Sequence, residues 1–372
     1  MTEPLCPYFG KCGGCSSQHI AYDVQLDNKR KQLSQSIKYD QDSIEIFSGE
    51  PYNYRNRMDF IFHKSGLGLR EKGDWKSIVD IERCAISDER LNELLKYVRE
   101  YFKDIGDEAF DVKRHSGTFR YAVIRTPSND SSISFVLNSD SSNNGEAVSK
   151  IKEFAKHTKA NNVVVTYVPS NTDVSISEEF FVVKGSDMLN EDYVDRSFSY
   201  SVQGFFQNNS AMAESMQEHV QSLIKKYDTK DLTLLDLYCG VGTFGIINSS
   251  SFNNVVMVES DKNCIDAAKI NIENNHLKNV EAVLLDAMSI KKLGFQKELF
   301  VITDPPRSGM HQKTIEQLKR LKPKTMIYIS CNIQQLGKDL EKFKEYSIKS
   351  VAMFDLFPQT PHVEAIVELL HR

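Results

Sequence analysis

Three segments near the end of the chain carry side chains able to make and break covalent bonds. Tyr328 to Asn332 holds a thiol at Cys331, Asp304 to Arg307 holds a carboxylate followed by two prolines, and His362 to Glu364 holds a second carboxylate. A thiolate is a nucleophile, and a positioned carboxylate moves protons. Upstream, Gly240, Gly242 and Gly245 fall in the spacing G-x-G-x-x-G, and Glu259 follows at the distance expected of an acid that accepts ribose hydroxyls. Together these residues point to covalent chemistry beside a nucleotide-like cofactor. The glycines alone leave NAD, FAD and S-adenosylmethionine open.

Each residue also has a plainer reading. A cysteine after a strand is often an inert core residue, Glu364 by itself is a surface acid, and an acid after a strand, such as Asp286, often caps a helix. What separates the readings is the scaffold. From about residue 200, strand patterns at 233–236, 255–258, 281–285, 299–302 and 325–329 alternate with helical patterns at 210–227, 262–274, 313–321 and 333–343. Two further strands are predicted at 347–355 and 362–370. Such alternation predicts an α/β fold, a Rossmann-like doubly wound sheet with ligands at the carboxyl ends of its strands. Cys331, Asp304, Glu259 and Asp286 all lie just after or at the end of such a strand. Cys331 also precedes a helix, which predicts a lowered thiol pKa.

The rest of the chain divides differently. Residues 1–45 are expected to form a cysteine segment with a helix at 22–37, residues 46–195 a smaller α+β domain of short strands, and residues 196–372 the alternating domain. The run Asn138 to Gly145 is expected to be a solvated loop tolerant of insertion. Seven cysteines, an odd number, without a secretion signal argue against a disulfide framework. Cys6, Cys12 and Cys15, with Cys84 far downstream, have metal-ligand spacing for zinc or an iron-sulfur cluster. Cys239 and Cys264 have no such partners and are expected in the core.

The net charge of −5 would suit few nucleic-acid binders, yet the first 125 residues are balanced, with 20 Lys+Arg and 20 Asp+Glu. A local basic stripe is enough to bind RNA. Arg55 and Arg57 among tyrosines, Lys113 and Arg114, Arg120 and Arg125 are the candidates. No apolar run approaches a membrane span, so a cytoplasmic protein, without membrane contact and monomeric, is expected.

With these motifs in order, and with Gln203 to Gln207 near the start of the alternating domain, the sequence resembles the RNA uracil-C5 methyltransferases over nearly its whole length. The resemblance implies S-adenosylmethionine as donor and a 4Fe-4S cluster on Cys6, Cys12, Cys15 and Cys84. It implies Gln207, Tyr238, Glu259 and Asp304 as cofactor contacts, with Asp286 a weaker match, beside the glycine turn at Gly240 and Gly242. It implies Cys331 as nucleophile and Glu364 as base. No amino-terminal TRAM module is expected, and the length, the segment Lys113 to Thr126 and the ending Phe354 to Glu364 resemble the short enzymes acting on 23S ribosomal RNA. The expected partner is therefore 23S ribosomal RNA, with a T-loop uridine of tRNA as the alternative. Two more distant readings are an iron-sulfur oxidoreductase and a non-catalytic RNA-binding protein.

Overall fold

The computed structural model describes residues 2–372. The chain forms two compact units. The first comprises residues 2–22, Glu50–Glu191 and Ser201–Ser210, and the second Asp23–Gly49, Asp192–Tyr200 and Ala211–Arg372.

The second unit is built on one eight-stranded sheet. Its strands, in chain order, are β1 (Ile44–Phe47), β2 (Thr233–Leu237), β3 (Asn254–Glu259), β4 (Val280–Leu284), β5 (Leu299–Thr303), β6 (Thr325–Ser330), β7 (Tyr346–Phe354) and β8 (Glu364–His371). They lie in the order β1-β7-β8-β6-β5-β2-β3-β4. Strand β8 is antiparallel to both its neighbours, and all other pairs are parallel. β2 and β5 are wholly buried and rich in Leu, Ile and Val, as a strand covered on both faces must be. The sheet's order reverses between them. Leu237 and Thr303 are register partners, and the amide of Asp304 donates to the carbonyl of Leu237 at 3.2 Å. Tyr238 and Asp304 thus leave the sheet side by side at the switch point, where α/β sheets bind ligands.

The helix Tyr22–Ile37 and β1 belong to this unit, although the sequence grouped them with the cysteine segment. The reason is packing: Leu33, Ile37 and Ile44 join the core of Leu235, Val301 and Met326, and Ile44 pairs with Val351.

The first unit carries a seven-stranded sheet, antiparallel except for the pair Ser132–Asn138 and Asn162–Val168. Phe62, Phe102, Phe119, Phe135 and Phe154 fill its core. The segment after Asn138 is not the disposable loop its composition suggests. Parallel strands need a crossover, and here the helix Asn144–His157 supplies it. Asn144 Nδ2 donates to the carbonyls of Asn138, Ser139 and Ser141, so an insertion would break an ordered turn. Among the described residues, no helix is long and apolar enough to cross a membrane.

Candidate active site

The glycine turn follows β2. Tyr238 has φ +60 and Gly240 φ +55, and a Cβ at Gly240 would meet nothing within 4 Å. The backbone there faces open space, as close approach of a ligand requires. Gly242 is glycine for another reason: at φ +91, a Cβ would lie 2.8 Å from Met257 Cε. Glu259 at the end of β3 reaches this turn, its Oε2 accepting from the amide of Gly240 at 3.3 Å. Beneath it, buried Asp236 accepts from the amide of Gly245 at 2.9 Å. Burial pushes the Asp236 carboxyl up to about 8, against that hydrogen bond and helped by Asp304 and Glu259. Asp286, exposed after β4, accepts from the amide of Met288 at 2.7 Å and caps the following turn. Gln207 belongs to the first unit, where Asn56 Nδ2 holds its carbonyl at 3.4 Å. The residues fit an adenosyl cofactor: a glycine cradle open on one side, with acids at the ends of successive strands.

Cys331 follows β6, half-buried. It lines a cavity of about 310 Å³ with Gln32, Arg307, Asn332 and His362. The helix-start argument fails for this thiol. Burial pushes it up to about 11, and the carboxylates of Glu364 and Asp304 add to the rise. Arg307 opposes them through its charge and a hydrogen bond to the sulfur. A single short helix start cannot offset desolvation plus two acids. Glu364 is buried, and its carboxyl is driven well above its ordinary range by desolvation first and Asp304 second, with Arg307 again opposing. Asp304 is enclosed deeply enough that desolvation raises it to about 7. Strongly shifted groups gathered at one place are what acid–base chemistry demands.

The loop carrying Arg307 is braced from below. Buried Asp339 accepts from the amide of Met310 at 2.9 Å and from the Tyr328 hydroxyl at 2.8 Å. Arg307, Gln32, His362 and Asp339 had no role expected from sequence. Arg307 had a signal in the fixed Pro-Pro turn before it; Gln32 had none, lying nearly 300 positions from Cys331.

In the first unit, Cys6, Cys12, Cys15 and Cys84 line one cavity together with Tyr8, Phe9, Leu69 and Ile81. Burial, with Cys84 as a further cause, raises the thiols of Cys6 and Cys12 and pushes Cys15 up to about 12. Among the described residues, no group of three or more Cys, His, Asp or Glu stands close enough together to hold a metal ion. Cys239 is buried, as expected of a core thiol, and Cys264 is half-buried.

The basic candidates are largely engaged. Arg57 pairs with Asp59 at 3.0 Å, and Arg55 donates to the Arg57 carbonyl. Arg120 and Arg125 are buried and donate to the carbonyls of Pro169 and Gly204, respectively. Lys113 and Arg114 stand exposed on a turn capped by Asp111.

A family model described as tRNA (uracil-5-)-methyltransferase matches residues 21–372. The chain belongs to that family. It is 30% identical over 371 residues to the tRNA (uracil(54)-C(5))-methyltransferase of Pyrococcus abyssi, covering 99% of this chain and 86% of the relative. An uncharacterized RNA methyltransferase of Caldanaerobacter subterraneus is 33% identical, with 98% and 84% covered. The crystal structure of the Pyrococcus abyssi enzyme with S-adenosyl-L-homocysteine superposes with a TM-score of 0.80 at 29% identity, over 96% of this chain and 86% of that one. The protein is thus an S-adenosylmethionine-dependent RNA uracil-C5 methyltransferase with an α/β methyltransferase fold, which displaces the oxidoreductase and binding-only readings.

Proposed function

We propose that this enzyme methylates C5 of a uridine in transfer RNA, with Cys331 as nucleophile and Glu364 as the base that frees the product. The observation that carries the mechanism is the grouping of Cys331, Arg307, Glu364 and Asp304 at the carboxyl ends of β5 and β6 and the start of β8. The cofactor would be held by Tyr238, Gly240, Gly242, Glu259 and Asp304, with Asp286 as a further contact; when bound, it supplies an electrophilic sulfonium methyl.

Uracil C5 is a weak nucleophile. A bond from the Cys331 sulfur to C6 shifts the C5–C6 electron pair toward the C4 carbonyl and leaves C5 as an enolate carbon able to take the methyl group. The proton remaining on C5 then passes to Glu364, the C5–C6 double bond returns and the C6–S bond breaks. Arg307 favours the thiolate, and Asp304 orients the ring. Reaching such a pocket requires the base to leave its stack, which favours a loop uridine.

The expectation of 23S ribosomal RNA gives way here. The tRNA (uracil(54)-C(5))-methyltransferases of Pyrococcus abyssi and Pyrococcus horikoshii match 99% and 98% of this chain. A T-loop uridine of tRNA is therefore the substrate we assign. Methyl transfer from labelled S-adenosylmethionine to separate unmodified tRNA and 23S ribosomal RNA tests it. Label in 5-methyluridine of tRNA alone supports it, and label in ribosomal RNA alone overturns the assignment.

For the cysteines, we propose a 4Fe-4S cluster as the group they would hold, although as placed they do not stand close enough together to hold a metal ion. Their support is four soft donors from two distant segments around one apolar cavity. No step of the mechanism passes through it.

A further inference from the structure

We infer that a basic, aromatic-lined cavity on the first unit is a second RNA-binding site, taking a backbone phosphate and the face of an unstacked base from looped or single-stranded RNA. The inference rests on RNA being the substrate but not on the covalent mechanism.

The cavity, about 240 Å³, is lined by Arg70, Lys76, Phe110, Lys113, Arg120 and Tyr121, among others. It falls short of the roughly 300–1,000 Å³ of pockets that enclose a small molecule. A strand crossing the surface, placing one nucleotide at a time, fits that size better.

Its charges are unevenly matched. Arg70 is neutralised by Asp173, whose two carboxylate oxygens accept at 2.8 Å each. Asp111, also in the lining, is spent on the amides of its own turn and on Arg114. Lys76, Lys113 and Arg120, by contrast, enter no ion pair among the described residues. Arg120 is the telling member. It is 2% exposed, its Cζ stacks 4.2 Å from the Phe110 ring centroid, its fork holds the carbonyls of Pro169 and Thr172, and its Nε has no acceptor. A buried guanidinium with no carboxylate in direct contact is costly; Asp173 and Asp140 act on it only at a distance, and an anion in the cavity would offset that cost. Lys76 and Lys113, both exposed, feel the charge of Asp74 but form no ion pair with it, since Asp74 accepts from the Lys76 amide and the Ser77 hydroxyl; both ammonium groups can close on the same anion.

Beside the cavity stands Trp75, the one tryptophan of the chain, 54% exposed. Its ring is flanked by Lys76 Nζ at 5.3 Å and Arg70 Cζ at 5.5 Å. An exposed aromatic face between cations is the arrangement on which unstacked bases rest, with the phosphates held alongside.

Because Trp75 is unique, its emission reports on this site alone. The test titrates the full-length protein with unmodified tRNA transcript and with oligouridylate, following Trp75 fluorescence. Saturable quenching by both is expected. Lys76→Glu with Lys113→Glu should raise the half-quenching concentration by about 10- to 100-fold and lower the slope of log affinity against log salt by about one per lysine. Calorimetric binding of S-adenosyl-L-homocysteine, unchanged in the double variant, shows that it is folded. Cys331→Ala should quench like the parent, so a failure of the catalytic reading leaves this one standing. Absence of quenching in the parent, or an unaltered titration in the folded double variant, overturns the proposal. So does equal quenching by inorganic phosphate or uridine monophosphate at the same concentrations, which would mark a small-anion site.

Discussion

Asn332 donates its side-chain amide to the carbonyl of Arg307 at 2.9 Å, while its Oδ1 accepts from the amide of Gln335 at 3.2 Å. One residue thus caps the helix Ile333–Leu340 and ties the loop after β5 to the turn that holds Cys331. Asn332→Asp keeps the cap and removes the donor. Its thermal stability should stay within about 1 kcal/mol of the parent, while methyl transfer falls by about 10- to 100-fold as Arg307 drifts from the sulfur. Asn332→Ala should lose about a further 1 kcal/mol with the cap. Parent-like turnover by the Asp variant would show that the tie is dispensable.

The pH dependence follows from the direction of three shifts. Asp304 sits at about 7, Cys331 at about 11 and Glu364 well above its ordinary range. The chemistry needs a thiolate and an ionised base, so the single-turnover rate should climb from about pH 6 to pH 9 and show no acid-side optimum. Arg307 holds both Cys331 and Glu364 down. Arg307→Met should therefore move the climb to higher pH. A profile flat across this range, in parent and variant alike, would contradict the shifts.

Glu364→Gln removes the proton acceptor but leaves the nucleophile. Turnover should stall after the methyl group is delivered, and a covalent RNA–protein species should build up on denaturing gels. Cys331→Ala should form no such species. If the Gln variant turns over cleanly, another group removes the C5 proton.

Why the sequence disclosed some of this and not the rest is visible residue by residue. The strand ends bearing Tyr238, Glu259 and Asp304 were legible because buried parallel strands leave continuous apolar runs, as in Leu299–Thr303. Position relative to those runs then set the place of each acid. What composition could not show was solvation. Burial raises the Cys331 thiol, and Glu364 adds to the rise from 33 positions away, brought near because Ser330 pairs with Ala365 across β6 and β8. In the same way, Arg120 and Arg125 were counted as surface charge, yet the strand Phe119–Arg125 is buried along its whole length. Helical spacing placed residues 22–37 correctly, but only tertiary contact shows Lys29 buried against Asp355 at 2.6 Å.

The cysteine cavity gives a chemical prediction. Anaerobic purification should yield a brown protein containing iron and sulfide, and Cys15→Ser should bleach it, since each thiolate is one of the four ligands a cubane needs. Because thiol ligands must lose their protons on binding, the cluster should be held more tightly at higher pH. Stoichiometric zinc without sulfide would replace the cluster with a structural zinc site.

Asp236 offers a test of the cofactor turn through stability alone. Its folded-state carboxyl titrates at about 8 because it is buried beneath Gly245, whereas an unfolded aspartate titrates near 3.9. Between those values the folded chain holds a proton that the unfolded chain has released. Its contribution to stability is therefore greatest below about pH 4 and falls until about pH 8. Asn at this position still accepts from the Gly245 amide and never ionises, so Asp236→Asn should gain in Tm over the parent, and the gain should widen from about pH 5 to pH 8.5. Parallel Tm curves for the two proteins, without cofactor, would mean that the carboxyl is ionised in the folded state and that the turn tolerates a charge beneath it.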